Sequence, residues 1–204
     1  MFSKRTKVVL YSVAGIVVIL ALLIGWRYRP YAFHGMVMSS PEFAPNFTLI
    51  SSRTGEPVSL RDFKGKVVLL YFGYTTCPDV CPASLSDVAK ALDRLGRKAD
   101  QVQLLFITVD PERDSPEEME KYVQHFGGHF LGLVPQSPEE TFAVATQYGI
   151  YYEKRDYGSA TGYLMDHTAT LTLIDKDSYI RVVYPFGTEP RDLAADLNYV
   201  LSRW

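Results

Sequence analysis

KVVLLYFGYTTCPDVCP, residues 66–82, decides the fold. Its first half, Lys66–Tyr71, is a short apolar run rich in β-branched residues, the pattern of a strand buried on both faces. Its second half turns through Cys77-Pro78-Asp79-Val80-Cys81. From Pro82 to about Leu95 the apolar positions Leu85, Val88, Ala89, Leu92 and Leu95 form a helical stripe that Gly96 ends. A buried strand that feeds a turn and then a helix is the unit of an α/β domain, and the ends of such strands are where these domains hold ligands.

Outward from this unit, strands and helices alternate. Phe47–Ser51 and the turn Arg53–Pro57 suggest an opening hairpin, and Val102–Val109 reads as a second buried strand. Ser115-Pro116-Glu117-Glu118 and Ser137-Pro138-Glu139-Glu140 each read as a helix start, with a Ser cap, Pro at the first helical position and Glu placed for a capping box. Thr168–Asp175 and Tyr179–Tyr184 are expected as strands joined by a tight turn, and a last helix is expected from about Pro190 to Ser202. Tyr151 to Asp166, rich in Tyr and Gly, reads as a long loop or hairpin leading to His167.

Ahead of the domain, Val8 to Trp26 is an uncharged run of 19 residues. As a helix it reaches about 28 Å, close to the hydrocarbon thickness of a bilayer. Gly25-Trp26-Arg27-Tyr28 offers no small-x-small cleavage site, so an uncleaved anchor is expected rather than a signal peptide, with Trp26 and Tyr28 as interfacial aromatics. Pro30, Pro41 and Pro45 mark an extended connection. The expected organisation is a short cytoplasmic N-terminus over 1–7, a transmembrane anchor over 8–26, a spacer over 27–42 and an α/β domain over 43–204. Three cations precede the anchor and two follow it, a bias that puts the soluble domain on the extracytoplasmic side of the cell membrane in a single-pass arrangement.

The whole chain has 21 basic and 23 acidic residues, but residues 1–33 hold Lys4, Arg5, Lys7, Arg27 and Arg29 and no acid. The remainder therefore has 16 basic against 23 acidic residues, which argues against nucleic acid as a partner.

The chain's two cysteines are Cys77 and Cys81. At a helix N-terminus the dipole favours their thiolate forms, which bind metals and exchange disulfides. Residues four apart on a helix have Cβ atoms about 5–6 Å apart, wider than the roughly 3.8 Å of a disulfide but suited to an ion bonded to both sulfurs at about 2.3 Å. The spacing leans towards metal and still allows redox chemistry. Of the four histidines, His34 lies beside Met36 and Met38 in the spacer and reads as a packed linker residue. His125 and His129 are separated by Gly127-Gly128 and read as helix-end and loop residues. His167 is expected immediately before the strand Thr168–Asp175, where a thioredoxin-like topology faces it towards the cysteine turn. Two thiolates and one imidazole make a soft three-coordinate site that suits copper, Cu(I) above all. Zinc would call for a fourth ligand, Asp79 or Asp166.

Three motifs together resemble the Sco/SenC family, the copper chaperones of cytochrome c oxidase assembly: FGYTTCPDVCP at 72–82, TVDPERDSPE at 108–117 and Asp166-His167-Thr168. The resemblance runs from about residue 43 to the C-terminus. It implies a thioredoxin-like fold with inserted elements, an N-terminal anchor, and one copper ion, Cu(I) or Cu(II), held by Cys77, Cys81 and His167. It also implies delivery of copper to the binuclear centre of oxidase subunit II or to another copper-receiving envelope protein. Thr76 departs from the pattern, standing where many relatives have a larger basic or imidazole side chain. The competing expectation is an anchored thiol–disulfide oxidoreductase with Cys77 and Cys81 as its redox pair. Three residues between the cysteines, rather than two, and His167-Thr168 where a cis-proline would be expected both favour copper.

Overall fold

The computed structural model describes residues 4–27, 30–159 and 162–203. It divides into two compact units, Met1–Ala32 and Phe33–Trp204. The first contains helix α1, Lys4–Arg27, whose apolar side chains Val13, Ile16 to Leu20 and Leu22 stand exposed. Among the described residues no helix is long and apolar enough to cross a membrane. Tyr28 and Arg29, expected to flank an anchor, lie outside the described residues.

In the second unit the strands are β1 (Met36–Val37), β2 (Thr48–Ser51), β3 (Pro57–Ser59), β4 (Val67–Gly73), β5 (Val102–Thr108), β6 (Phe130–Val134), β7 (Tyr152–Ser159), β8 (Gly162–His167), β9 (Thr170–Ile174) and β10 (Ile180–Pro185). The helices are α2 (Val80–Leu95), α3 (Pro116–Gln124), α4 (Pro138–Gln147) and α5 (Pro190–Arg203). Among the described residues, eight strands form one mixed sheet in the order β1-β10-β9-β4-β5-β6-β2-β3, and β7 and β8 form a separate two-stranded ribbon. β4 and β5 run parallel, in register from Val67 opposite Val102 to Gly73 opposite Thr108.

Every residue of β4, β5 and β6 is buried, so both faces of the sheet centre are covered, as parallel strands require. Burial of each large side chain there, Leu69 or Leu104 for example, contributes about 1.5–3 kcal/mol. α2 buries Cys81, Leu85, Val88, Ala91 and Leu92, a stripe at helical spacing that includes one of the two cysteines. It stops at Gly96, whose φ of +56° is one that side-chain-bearing residues rarely adopt. Ser115 and Glu118 cap α3 reciprocally, and Ser137 accepts from the Glu140 amide at the start of α4.

Three features differ from the sequence expectations. β6 was not anticipated: FLGLV is five residues long and broken by Gly132, too short for periodicity to separate strand from loop. Gly132 is explained by close approach, because a Cβ there would collide with the Met119 side chain of α3. β1 lies within the expected spacer, where Met36 and Val37 pair with Val183 and Val182 on the sheet edge. Finally, His167 does not stand directly before the next core strand. It is the last residue of β8, and β9 begins only at Thr170.

Candidate metal centre

β4 ends at Gly73, and the chain turns through Tyr74–Asp79 into α2. Gly73 is required here: a Cβ would meet the sulfur of Cys81 at 2.7 Å and Phe106 at the same distance. Cys81, in the first turn of α2, is therefore packed against the strand end and fully buried, while Cys77 is 8% exposed. The side chain of Asp79 makes no capping bond at the start of α2. The backbone amides of Asp79 and Cys81 at this helix start favour the thiolate form of Cys77, as the anion-binding end of a helix does.

The ribbon β7–β8 brings His167 to the same point. Its Nε2 lies 3.3 Å from the Sγ of Cys81, and its Nδ1 lies 3.3 Å from the carbonyl oxygen of Thr168. With Nδ1 protonated and donating to that carbonyl, Nε2 turns a lone pair towards the sulfurs. Tyr71 and Tyr74 meet the imidazole edge to face, with ring centroids 6.3 and 5.9 Å away. They wall it on two sides and leave it half-buried.

The donor atoms of Cys77, Cys81 and His167 all lie within 4.8 Å of one another, and among the described residues they form the cluster able to hold a metal ion. Neither Asp79 nor Asp166 belongs to it; Asp166 reaches instead towards Arg155, 3.5 Å away. Two donors that share an ion at roughly 2.0–2.3 Å stand at most about 4.6 Å apart, so small side-chain adjustments close this cluster on one ion. Two sulfurs, one imidazole and no carboxylate make a soft donor set, which fits copper and leaves tetrahedral zinc one ligand short.

The thiols are poised unequally. The hydrogen bond from Cys81 lowers Cys77 to about 4 against the opposing effect of burial, with further help from the neighbouring backbone amides. Burial, followed by the hydrogen bond to Cys77 and then that neighbour's charge, raises Cys81 well above an ordinary thiol. Within the pair, Cys77 is therefore the thiol disposed to ionise and Cys81 the one disposed to keep its proton. Burial and the two cysteines also push Tyr74 up to about 12.

The other histidines are elsewhere. Nδ1 of His34 lies 2.8 Å from Asp196 on α5, whose carboxylate also accepts the His34 backbone N–H, so His34 fastens the entry segment to the domain. Nδ1 of His125 lies 3.3 Å from the Tyr122 carbonyl, and His129 is 3.9 Å from Asp100. Sequence reasoning did not identify Gly73, Tyr71 or Tyr74 as parts of the site. Gly73 carried a usable signal, a glycine inside a buried strand pattern, which often marks close approach. Tyr71 read only as the end of a buried strand, and Tyr74 only as part of the motif at 72–82.

A mixed, thioredoxin-like sheet with two cysteines at a strand-to-helix turn and a histidine on an inserted ribbon defines a class of α/β domains with a soft-metal site. The SCO1/SenC family model matches residues 37–202, and the chain belongs to that family. Among relatives, protein sco1 of Schizosaccharomyces pombe is 35% identical over 167 residues, covering 80% of this chain and 63% of its own length. ScoI of Bradyrhizobium japonicum, solved with copper bound, is 38% identical with a TM-score of 0.70 and aligns over 78% of this chain and 99% of its own. ScoI of Arabidopsis thaliana, also with copper bound, is 32% identical with a TM-score of 0.74, over 80% of this chain and 100% of its own. The chain spans roughly half to two thirds of the length of the first curated relatives it matches.

Proposed function

We propose that this chain is a membrane-anchored, extracytoplasmic copper metallochaperone that holds one copper ion through Cys77, Cys81 and His167. The observation that carries this reading is the convergence of those three donor atoms within 4.8 Å. Copper bound in two relatives above 30% identity supports it. The ion is cargo: two thiolates bind Cu(I) firmly, and the half-buried imidazole is the ligand that can leave first as a recipient approaches. The proposed recipient is the binuclear copper centre of cytochrome c oxidase subunit II, or another envelope protein that takes copper. The uncharged run over 8–26 supports a single-pass anchor, with 1–7 inside and the domain from about residue 43 outside.

Mixing the copper-loaded protein with a soluble, metal-free subunit II domain tests delivery. Appearance of the recipient's binuclear copper spectrum, lost with Cys77→Ser, is expected; copper that stays on the loaded protein would contradict it. Alkaline extraction of membranes tests the anchor, with the full chain expected in the pellet and a chain starting at residue 31 in the supernatant.

A second reading has its own support in the unequal thiols. A Cys77 thiolate beside the Cys81 thiol is the resting form of a dithiol reductant. Attack of the Cys77 thiolate on a partner disulfide and resolution by Cys81 would give the partner two electrons and the Cys81 proton, the second proton coming from water, and leave a Cys77–Cys81 disulfide. Reduction of the recipient's cysteines by the metal-free protein favours this reading; inertness towards them removes it.

A further inference from the structure

TVDPERDSPE at 108–117 contributes no atom to the metal-capable cluster. We propose that its loop, Asp110–Asp114, is the frame that sets the spacing of the metal ligands. Asp114 fixes the cysteine turn, and Asp110 and Arg113 fix the ribbon that carries His167. The inference rests on the copper reading above and deepens it by naming positioning residues.

The first arm is buried. Asp114 is 0% exposed, and its carboxylate accepts the Thr75 backbone N–H at 3.0 Å, the Thr75 hydroxyl at 2.5 Å and the Thr108 hydroxyl at 2.6 Å. Thr75 stands two residues before Cys77. These bonds tie the cysteine turn to the end of β5, and a buried carboxylate with three donors tolerates little displacement.

The second arm reaches the ribbon. Arg113 donates to the Tyr163 carbonyl at 2.9 Å, and the Tyr163 hydroxyl donates to Asp110 at 2.8 Å. Asp110 in turn pairs with Arg113. The Arg113 guanidinium lies 3.7 Å from the Tyr163 ring centroid and the Lys154 ammonium 3.9 Å from it, and Lys154 is paired with Glu112 at 2.8 Å. Tyr163 is four residues before His167 on β8, so the two project from the same face of the strand. Arg113 also stands 5.7 Å from the Tyr74 ring, which meets His167 edge on. A lone two-stranded ribbon is marginally stable, and β7–β8 has no place in the main sheet. This latch is therefore what holds His167 at its distance from the sulfurs.

The test compares Arg113→Lys and Tyr163→Phe, each alone and combined with His167→Ala, by Cu(I) competition with a chelator and by the Cu(II) electron paramagnetic resonance and thiolate charge-transfer spectra. Thermal unfolding verifies that each variant is folded. Second-sphere changes of this kind typically cost about 10-fold in metal affinity. The expected result is a loss of that order and an altered Cu(II) spectrum for each single variant, with no further loss once His167 is absent. Thr75→Val, which weakens the cysteine arm, should lower Cu(I) affinity with or without His167. Should Arg113→Lys and Tyr163→Phe leave affinity and spectrum unchanged, or weaken copper equally without His167, the frame is overturned while the copper reading stands. A parent protein whose copper binding ignores His167 overturns both, and that result appears before any loop variant is compared.

Discussion

The space that a Cβ on Gly73 would fill is taken by the sulfur of Cys81, and that contact makes the smallest informative change in the protein. Gly73→Ala must displace either Cys81 or Phe106, and overpacking of this sort costs about 1–3 kcal/mol. We expect a lowered unfolding midpoint together with weakened Cu(I) binding; a lowered midpoint with unchanged affinity would show that the sulfur had not moved. The two thiols differ in a way that alkylation can read. With Cys77 lowered to about 4, its reaction rate with iodoacetamide should stay nearly constant from pH 8 to 6, whereas an ordinary thiol slows about 100-fold over that interval. Cys81, buried and raised, should remain unlabelled in the folded protein. The sign for copper follows from the same pair. Cu(I) needs both thiolates, Cys77 already is one, and Cys81 must lose its proton. Affinity should therefore fall about tenfold per unit as pH drops from 8 to 6, in step with release of one proton per ion; a flat profile would mean that Cys81 is already ionised. At this scale the cysteines are legible in the sequence, because their spacing and their position at a strand-to-helix turn constrain their chemistry. His167 is marked by its place before an expected strand and by the motif Asp166-His167-Thr168, but only the topology brings it to the sulfurs. Thr75, Asp114 and Tyr163 owe their roles to contacts spanning about 40 to 50 residues of sequence, which no local pattern carries.

Among the elements, those with strong local chemistry form where the sequence indicates. Ser115 and Glu118 close a capping box on α3, and Ser115→Ala should lower stability by about 1 kcal/mol, read as an earlier denaturant midpoint. Among the described residues Ser115 bonds only within the cap of α3 and to neither arm of the ligand frame, so copper affinity should stay at the parent's value while stability falls. β4 and β5 were legible as short, largely apolar runs rich in β-branched and aliphatic residues. β6 was not, because Gly132 interrupts it for the sake of Met119. The ribbon was legible only as an insertion rich in Tyr and Gly, for its strands answer to the latch on the Asp110–Asp114 loop rather than to an apolar face of their own. Since that ribbon stands outside the main sheet, its amides should exchange faster than those of β9. Copper bridging His167 to the cysteines should slow exchange over residues 152–167, and equal exchange in the two states would contradict closure of the ribbon on the ion.

Across the whole molecule, the asymmetry between a cationic, apolar N-terminal part and an acidic domain is written in the composition, whereas the union of the site is a product of the fold. Its three donors come from the turn after β4, the first turn of α2 and the end of β8, elements that meet only when the sheet is assembled. Copper should therefore stabilise the folded chain over the unfolded one, by about 2.7 kcal/mol at a free concentration 100 times the dissociation constant if the unfolded chain does not bind. The most direct measurement is Cu(I) titration of residues 31–204 against a competing chelator, with Cys77→Ser, Cys81→Ser and His167→Ala alongside. The expected result is one tightly bound ion, nearly abolished by either cysteine change and weakened less by loss of the imidazole. Weak binding in the parent, or binding indifferent to all three residues, would contradict it.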